Sequence, residues 1–142
     1  MFIKNILKLS LLLYVFVFSQ SVSALDIIAN ASVKANTLTT SQIRRIYSMR
    51  QVLWREDFPI IVYVLPSKHK LHQEFSKKIL RMFPYQLDRI WNKLTYSGVG
   101  VAPIEVDSPQ ALIDAVMTTP GAIGYAELSD NNHNLHIIKI KG

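Results

Sequence analysis

Ile60-Ile61-Val62-Tyr63-Val64-Leu65-Pro66 decides the fold of this chain, because it is a short apolar run of mainly β-branched residues that a proline ends. Such a run predicts a buried strand. Four apolar residues then recur at helical spacing and predict an amphipathic helix after a short loop: Leu71, Phe75, Ile79 and Met82. A strand that leads directly into a helix is typical of α/β proteins.

The flanking segments continue this alternation of strands and helices. Further strands are predicted at 26–29, 104–106, 122–125 and 135–140, with a turn at 130–132. One helix is predicted to begin after Thr39, which forms a capping box with Gln42, and others begin at Pro84 and, after Asp107 or Ser108, at Pro109. The resulting order, βαβααβαββ, predicts an α/β three-layer sandwich in which helices pack on a mixed sheet.

The N-terminus has the order of a secretory signal peptide. Two lysines lie within the first eight residues, the apolar run Leu11–Phe18 follows, and Val22-Ser23-Ala24 has the small-residue spacing of a cleavage site. We therefore expect a signal peptide at 1–24, cleaved after Ala24, and a periplasmic domain at 25–142. An uncleaved N-terminal anchor is the alternative.

Composition excludes several classes of function. The chain has no cysteine, which excludes disulfides, thiol chemistry and cysteine-based metal sites. It contains no nucleophile elbow, P-loop or His-Glu-x-x-His, and no carboxylate pair stands out, so neither an enzyme nor a cofactor is predicted. Aromatic residues interleaved with basic ones are missing as well, so nucleic-acid binding is not expected.

Four segments resemble type 2 periplasmic solute-binding proteins of the phosphate-binding class, in order along the chain. The stretch Ile46-Tyr47-Ser48-Met49-Arg50-Gln51-Val52-Leu53-Trp54 is similar to their Ile-Phe-x-Gly-x4-Trp, and Pro120-Gly121-Ala122-Ile123-Gly124-Tyr125 matches a motif near their end. Val64–Phe75 and Trp91–Gly98 resemble small, stand-alone members. The resemblance implies one lobe of a fold in which two α/β lobes hold an anion between them.

The same resemblance implies an anion-binding loop after Leu65. Family members carry Gly-Ser-Gly-Thr-like residues there, at a helix N-terminus that favours negative charge. This chain carries lysines instead of glycines, which predicts a looser electrostatic site that binds phosphate or a similar oxyanion weakly. The expected ligand-binding residues are Ser67, Lys68, His69, Lys70 and His72. For His72 the alternative is that it caps the helix or contacts the loop. No metal site is predicted, because no carboxylate lies at a suitable spacing.

The net charge of +6 is concentrated in one stretch. Between Lys68 and Lys93 there are seven Lys and Arg residues against two acidic ones. This stretch is suited to phosphate, a lipid headgroup or an acidic protein partner, or it is a solvated helix face with a Glu74–Lys78 pair. Trp54 and Trp91 are interpreted as packing residues, and the glycines at 121 and 124 as a tight turn and a close strand contact.

Two functions remain open from the sequence. The first is an exported, non-enzymatic solute-binding domain that binds phosphate in connection with ABC-type transport and works with a permease or another envelope protein. The second is a lobe without a ligand that docks onto an envelope protein partner.

Overall fold

The computed structural model describes Ile3, residues 24–128 and residues 134–142. Apart from Ile3 and Ala24, the predicted signal peptide lies outside the described residues, and so does the predicted turn at 130–132. Within the described ranges, every helix is too short or too polar to cross a membrane.

Residues 24–128 and 134–142 form eight strands and four helices. The strands are β1 (Leu25–Ala29), β2 (Thr37–Thr39), β3 (Leu53–Arg55), β4 (Phe58–Pro59), β5 (Ile61–Val64), β6 (Ile104–Glu105), β7 (Ala122–Glu127) and β8 (His136–Lys141). The helices are α1 (Thr40–Tyr47), α2 (Lys70–Glu74, continued without a break by the π-helical turns Phe75–Leu80), α3 (Pro84–Ser97) and α4 (Pro109–Thr118).

Six of the strands form one mixed sheet in the order β2-β8-β1-β7-β5-β6. β5 runs parallel to both β6 and β7, whereas β1 runs antiparallel to β7 and β8. β3 and β4 form a separate hairpin. The carboxyl ends of β5, β6 and β7 therefore lie along one edge of the sheet.

Helices cover both faces of the sheet, as alternate residues of the central strand β7 show. Gly124 lies against Leu112 and Val116 of α4, so close that an added Cβ would be 2.5 Å from the Leu112 Cδ2 atom. The next residue, Tyr125, faces the other way and stacks on Phe75 of α2 with ring centroids 4.0 Å apart. The predicted α/β three-layer sandwich with a mixed sheet is confirmed.

The helices begin where the capping residues predict. The Thr39 hydroxyl accepts the Gln42 amide hydrogen, and the Gln42 side chain accepts the Thr39 amide hydrogen, which together form the capping box. Pro84 opens α3, and Ser108 caps α4 by accepting the Ala111 amide hydrogen. Trp91 is buried and donates its indole hydrogen to the Tyr47 carbonyl, as expected of a packing residue.

Three short strands were not expected from the sequence. β2 has only three residues, two of them exposed threonines, and it exists because it pairs in parallel with β8 at the end of the chain. The β3–β4 hairpin is equally short, and its two strands are separated by Glu56 and Asp57. Such strands have too few residues to display an alternating pattern, so their pairing depends on tertiary contacts.

Candidate functional site

The loop at 66–69 lies at the carboxyl edge of the sheet, between β5 and α2. Crevices at this edge are where open α/β sheets bind ligands. The loop leaves Lys68 and Lys70 exposed, while Ser67 and His69 are half-buried. The loop is folded back on itself, because the His69 amide donates to the Pro66 carbonyl at 2.9 Å.

His69 caps α2. Its Nδ1 atom accepts the Leu71 amide hydrogen at 3.1 Å, and its carbonyl accepts the Gln73 amide hydrogen. Since the first amides of a helix have no intrahelical acceptor, the amide of the exposed Lys70 is expected to be a donor at this end, whereas His72 is fully buried. The capping role that we considered for His72 thus belongs to His69.

Ser67 is engaged by a residue that the sequence analysis missed. Its hydroxyl donates to the Oδ1 atom of Asp88 at 2.6 Å, so a carboxylate of α3 reaches the loop. Asp88 lies three residues before the buried Trp91 on α3, and that spacing from a core position is the signal that places it toward the loop. The loop therefore carries a built-in negative charge beside two exposed lysines.

His72 is fully buried in the core. Its Nδ1 atom lies 2.6 Å from the phenolic oxygen of Tyr125, and the same oxygen accepts the Leu65 amide hydrogen at 2.9 Å. Because the Tyr125 oxygen already accepts one hydrogen, we assign its own proton to the bond with His72, which leaves the imidazole protonated at Nε2. The His72 Nε2 atom has no hydrogen-bond partner in the described part of the chain.

Burial sets the ionisation of this group. Desolvation lowers the pKa of His72 from its ordinary 6.5, while the Asp88 carboxylate raises it and His69 lowers it. Desolvation likewise raises the pKa of Tyr125 and, more strongly, that of the buried Tyr47 hydroxyl. The imidazole and both phenols are thus held neutral in the core, where they support the start of α2 from beneath.

An aromatic cluster surrounds His72. The Tyr47 and Phe75 rings meet edge to face with centroids 4.6 Å apart, and the Trp91 ring centroid is 6.0 Å from that of His72. The Tyr47 hydroxyl is buried with no hydrogen-bond partner among the described residues. These buried, neutral contacts form a packing unit in the core.

A shallow cavity of about 230 Å³ adjoins the loop. It is lined by His69, Lys70, Leu71, Glu74, Pro109 and Glu127. Two carboxylates thus face one lysine there, so the side of the loop that bears Glu74 is poorly suited to an anion. The structure brings together the main chain of the predicted site residues, but it turns the imidazoles of His69 and His72 toward the protein.

The comparisons with solved structures concern the whole described domain. A phosphate ABC transporter substrate-binding protein of Clostridium perfringens, solved with bound phosphate, matches 82% of this chain and 44% of its own at 19% identity and a TM-score of 0.64. An ABC-type phosphate transport receptor of Vibrio cholerae matches 82% of this chain and 45% of its own at 16% identity and a TM-score of 0.60. PstS of Borrelia burgdorferi matches 84% of this chain and 47% of its own at 20% identity and a TM-score of 0.61.

The fold is that of these solute-binding proteins. The chain spans less than half the length of each of the three, which is consistent with a single lobe. Neither family models nor curated protein sequences match the chain. The resemblance that the sequence motifs indicated is therefore confirmed at the level of the fold.

Proposed function

We propose that this chain is an exported, non-enzymatic solute-binding domain that binds phosphate or a similar oxyanion weakly at the loop 66–72, in connection with ABC-type transport. One observation supports this most directly. In a fold shared with phosphate receptors, the loop between β5 and α2 lies at the carboxyl edge of the sheet with Lys68 and Lys70 exposed.

The donors of the proposed site are of two kinds. Lys68 and Lys70 supply positive charge, and the main-chain amide of Lys70 supplies a directed hydrogen bond at the positive end of α2, while the buried His72 acts only by supporting the start of the helix. The Ser67 hydroxyl can donate to an anion only after it has broken its hydrogen bond with Asp88. His69 acts indirectly, because its side chain caps α2 and so fixes the position of the loop. The Asp88 carboxylate opposes an anion, so the proposed affinity is low and depends on salt.

Isothermal titration of the chain with inorganic phosphate at low ionic strength tests this function. We expect saturable heat in the millimolar range, and we expect the double substitution Lys68→Ala/Lys70→Ala to abolish it. The matched control is Lys139→Ala/Lys141→Ala, which removes two exposed lysines from β8, distant along the chain from the loop. A folded protein that gives no heat, or equal affinity in both double variants, would refute the proposed site.

The second candidate function is a lobe that docks onto an envelope protein without binding a ligand. The Ser67–Asp88 hydrogen bond favours it, because the hydroxyl that an oxyanion would need is already used by a carboxylate of the same domain. Purification from envelope extracts separates the two functions: a partner in stoichiometric amount supports docking, whereas an anion retained by the purified protein supports solute binding.

A further inference from the structure

A cationic and aromatic surface lies at the junction of α2 and α3, at the opposite end of α2 from the loop 66–69. Its cations are Lys77, Lys78 and Arg81, all of them exposed, and its rings are Phe83 and Tyr85. We name these five residues the junction surface. From Phe75 to Leu87 the chain contains no acidic residue, and the acidic residues that flank this stretch are Glu74, four positions before Lys78, and Asp88.

The two aromatic rings are unusual for a surface in water. Phe83 is 54% exposed and Tyr85 is 58% exposed, and the rings stack side by side with centroids 5.7 Å apart and planes 10° apart. Stacking of this kind presents one continuous apolar area rather than two scattered side chains. Its position next to three cations matches the combination that binds the interface of an anionic bilayer.

The backbone holds this surface in a fixed shape. The Met82 amide donates to the Ser76 carbonyl at 3.0 Å, and the buried Ser76 hydroxyl donates to the Met82 carbonyl at 2.6 Å. Between them Arg81 has a φ of +54°, a left-handed conformation for which glycine is normally preferred. An arginine at this position costs conformational energy, and as the residue that ends α2 it turns the chain toward Phe83.

A second helix supplies further charge. The Nε atom of Arg44 in α1 donates to the Leu80 carbonyl at 3.0 Å, which fixes its guanidinium beside the end of α2. A cavity of about 350 Å³ in this surface is lined by two of the cations, one of the rings and two further residues: Lys77, Arg81, Phe83, Met82 and Gln86. Its cationic rim and aromatic wall suit a phosphate headgroup at the edge of a lipid surface.

We propose that the junction surface binds the anionic phospholipid surface of a membrane, with Lys77 and Arg81 on headgroup phosphates and the Phe83 and Tyr85 rings at the acyl boundary. Charge complementarity and the paired exposed rings together favour a lipid surface, where rings lie at the interface and cations contact headgroup phosphates, and polyglutamate is the comparison for an acidic peptide. The surface is separate from the loop 66–69, and the proposal does not depend on phosphate binding there.

Vesicle flotation tests this proposal with the predicted mature domain 25–142, which contains the entire described core. Phosphatidylcholine vesicles are compared with vesicles of phosphatidylcholine and phosphatidylglycerol in equal parts. Leaving out the apolar run Leu11–Phe18 ensures that any binding comes from the domain itself. We expect Lys77→Gln/Arg81→Gln to weaken binding to the anionic vesicles roughly 25-fold, about fivefold for each cation. Lys139→Gln/Lys141→Gln on β8 is the matched control and is expected to bind as the unchanged chain does.

Two further variants keep the test decisive. Arg81→Gly removes the charge but relieves the left-handed backbone, so it is expected to weaken vesicle binding about fivefold in a protein that is at least as stable. Phe83→Ser/Tyr85→Ser removes both exposed rings. At high salt, where the attraction between charges is screened and the apolar contact dominates binding, this variant is expected to bind anionic vesicles more weakly than the unchanged protein. The proposal is overturned if Lys77→Gln/Arg81→Gln and Lys139→Gln/Lys141→Gln bind anionic vesicles equally well. It is also overturned if the protein binds polyglutamate but not anionic vesicles.

Discussion

The Nδ1 atom of His72 lies 2.6 Å from the phenolic oxygen of Tyr125, joining the first turn of α2 to the central strand β7 inside the core. The Tyr125 oxygen also accepts the amide hydrogen of Leu65, the last residue before the loop. One hydroxyl thus holds both sides of the loop 66–69 in place. Four predictions follow from this contact and its neighbours.

Tyr125→Phe is expected to destabilise the fold by roughly 3 kcal/mol. The substitution keeps the stacked ring but leaves the Leu65 amide and the His72 imidazole buried without their partner, and each such group costs about 1–3 kcal/mol. Urea unfolding followed by circular dichroism measures the change. Tyr63→Phe is the control, because the partner of Tyr63 is the Thr119 hydroxyl, only partly buried, and its loss is expected to cost about 1 kcal/mol.

Stability is expected to fall as the pH drops below about 6.5. Burial lowers the pKa of His72 in the folded state, so between that lowered pKa and 6.5 the unfolded chain binds more protons than the folded one. The stability that depends on neutral His72 is therefore fully present above pH 6.5, and it is lost as the pH falls toward the folded-state pKa of His72. Asp88, His69 and Tyr125 are the titratable groups that face His72.

Unfolding free energies at a series of pH values test this dependence. His72→Gln removes the titrating group, and we expect a shallower slope below 6.5 than in the unchanged chain. Parallel curves for the unchanged chain and His72→Gln would show that other groups cause the acid sensitivity.

Gly121→Ala is expected to cost at least about 3 kcal/mol, more than the same change at Gly98. Both glycines have left-handed φ angles, +77° and +66°, so both substitutions carry backbone strain of about 1 kcal/mol or more. A Cβ at Gly121 would also collide with the Pro59 carbonyl oxygen, whereas one at Gly98 meets nothing within 4 Å. Thermal unfolding of the two variants separates strain from collision, and equal losses would contradict the packing described here.

Asp88→Asn is expected to strengthen phosphate binding about fivefold at low salt, if phosphate binds at the loop. The substitution removes a negative charge next to Ser67 while an amide oxygen can still accept its hydroxyl hydrogen, and one such charge is worth about 1 kcal/mol near a surface. Titration calorimetry measures the change. Ser67→Ala, which leaves the charge in place, should produce no such gain.

Local patterns were sufficient for most of the fold. The capping box of Thr39 and Gln42, the proline that opens α3, and the apolar strand before Leu65 are each specified by residues within a few positions of one another. The interpretation of Gly121 and Gly124 as a turn and a close contact is confirmed by their surroundings. These features depend on propensity and spacing, which a single sequence displays.

The surroundings of the loop could not be predicted in this way. Asp88 lies 21 residues from Ser67, and Tyr125 lies 53 residues from His72, so local spacing can orient Asp88 on its helix but cannot identify the residue that either partner contacts. His72 follows the buried Leu71 and precedes Phe75 by three positions, which suits either a helix cap or a core position. His72 lies in the core because β7 packs beneath α2, a tertiary contact that local sequence does not reveal.

The alternation along β7 has a consequence for how sequence signatures of this kind are used. Ala122 to Tyr125 are all buried, and the sizes of Gly124 and Tyr125 are dictated by a helix on one face or the other. A search built on the hexapeptide 120–125 would consequently retrieve proteins by their architecture, whatever cargo they carry. Information about the bound ligand would have to be sought in the loop after β5, where contacts with the ligand rather than packing determine which residues are tolerated.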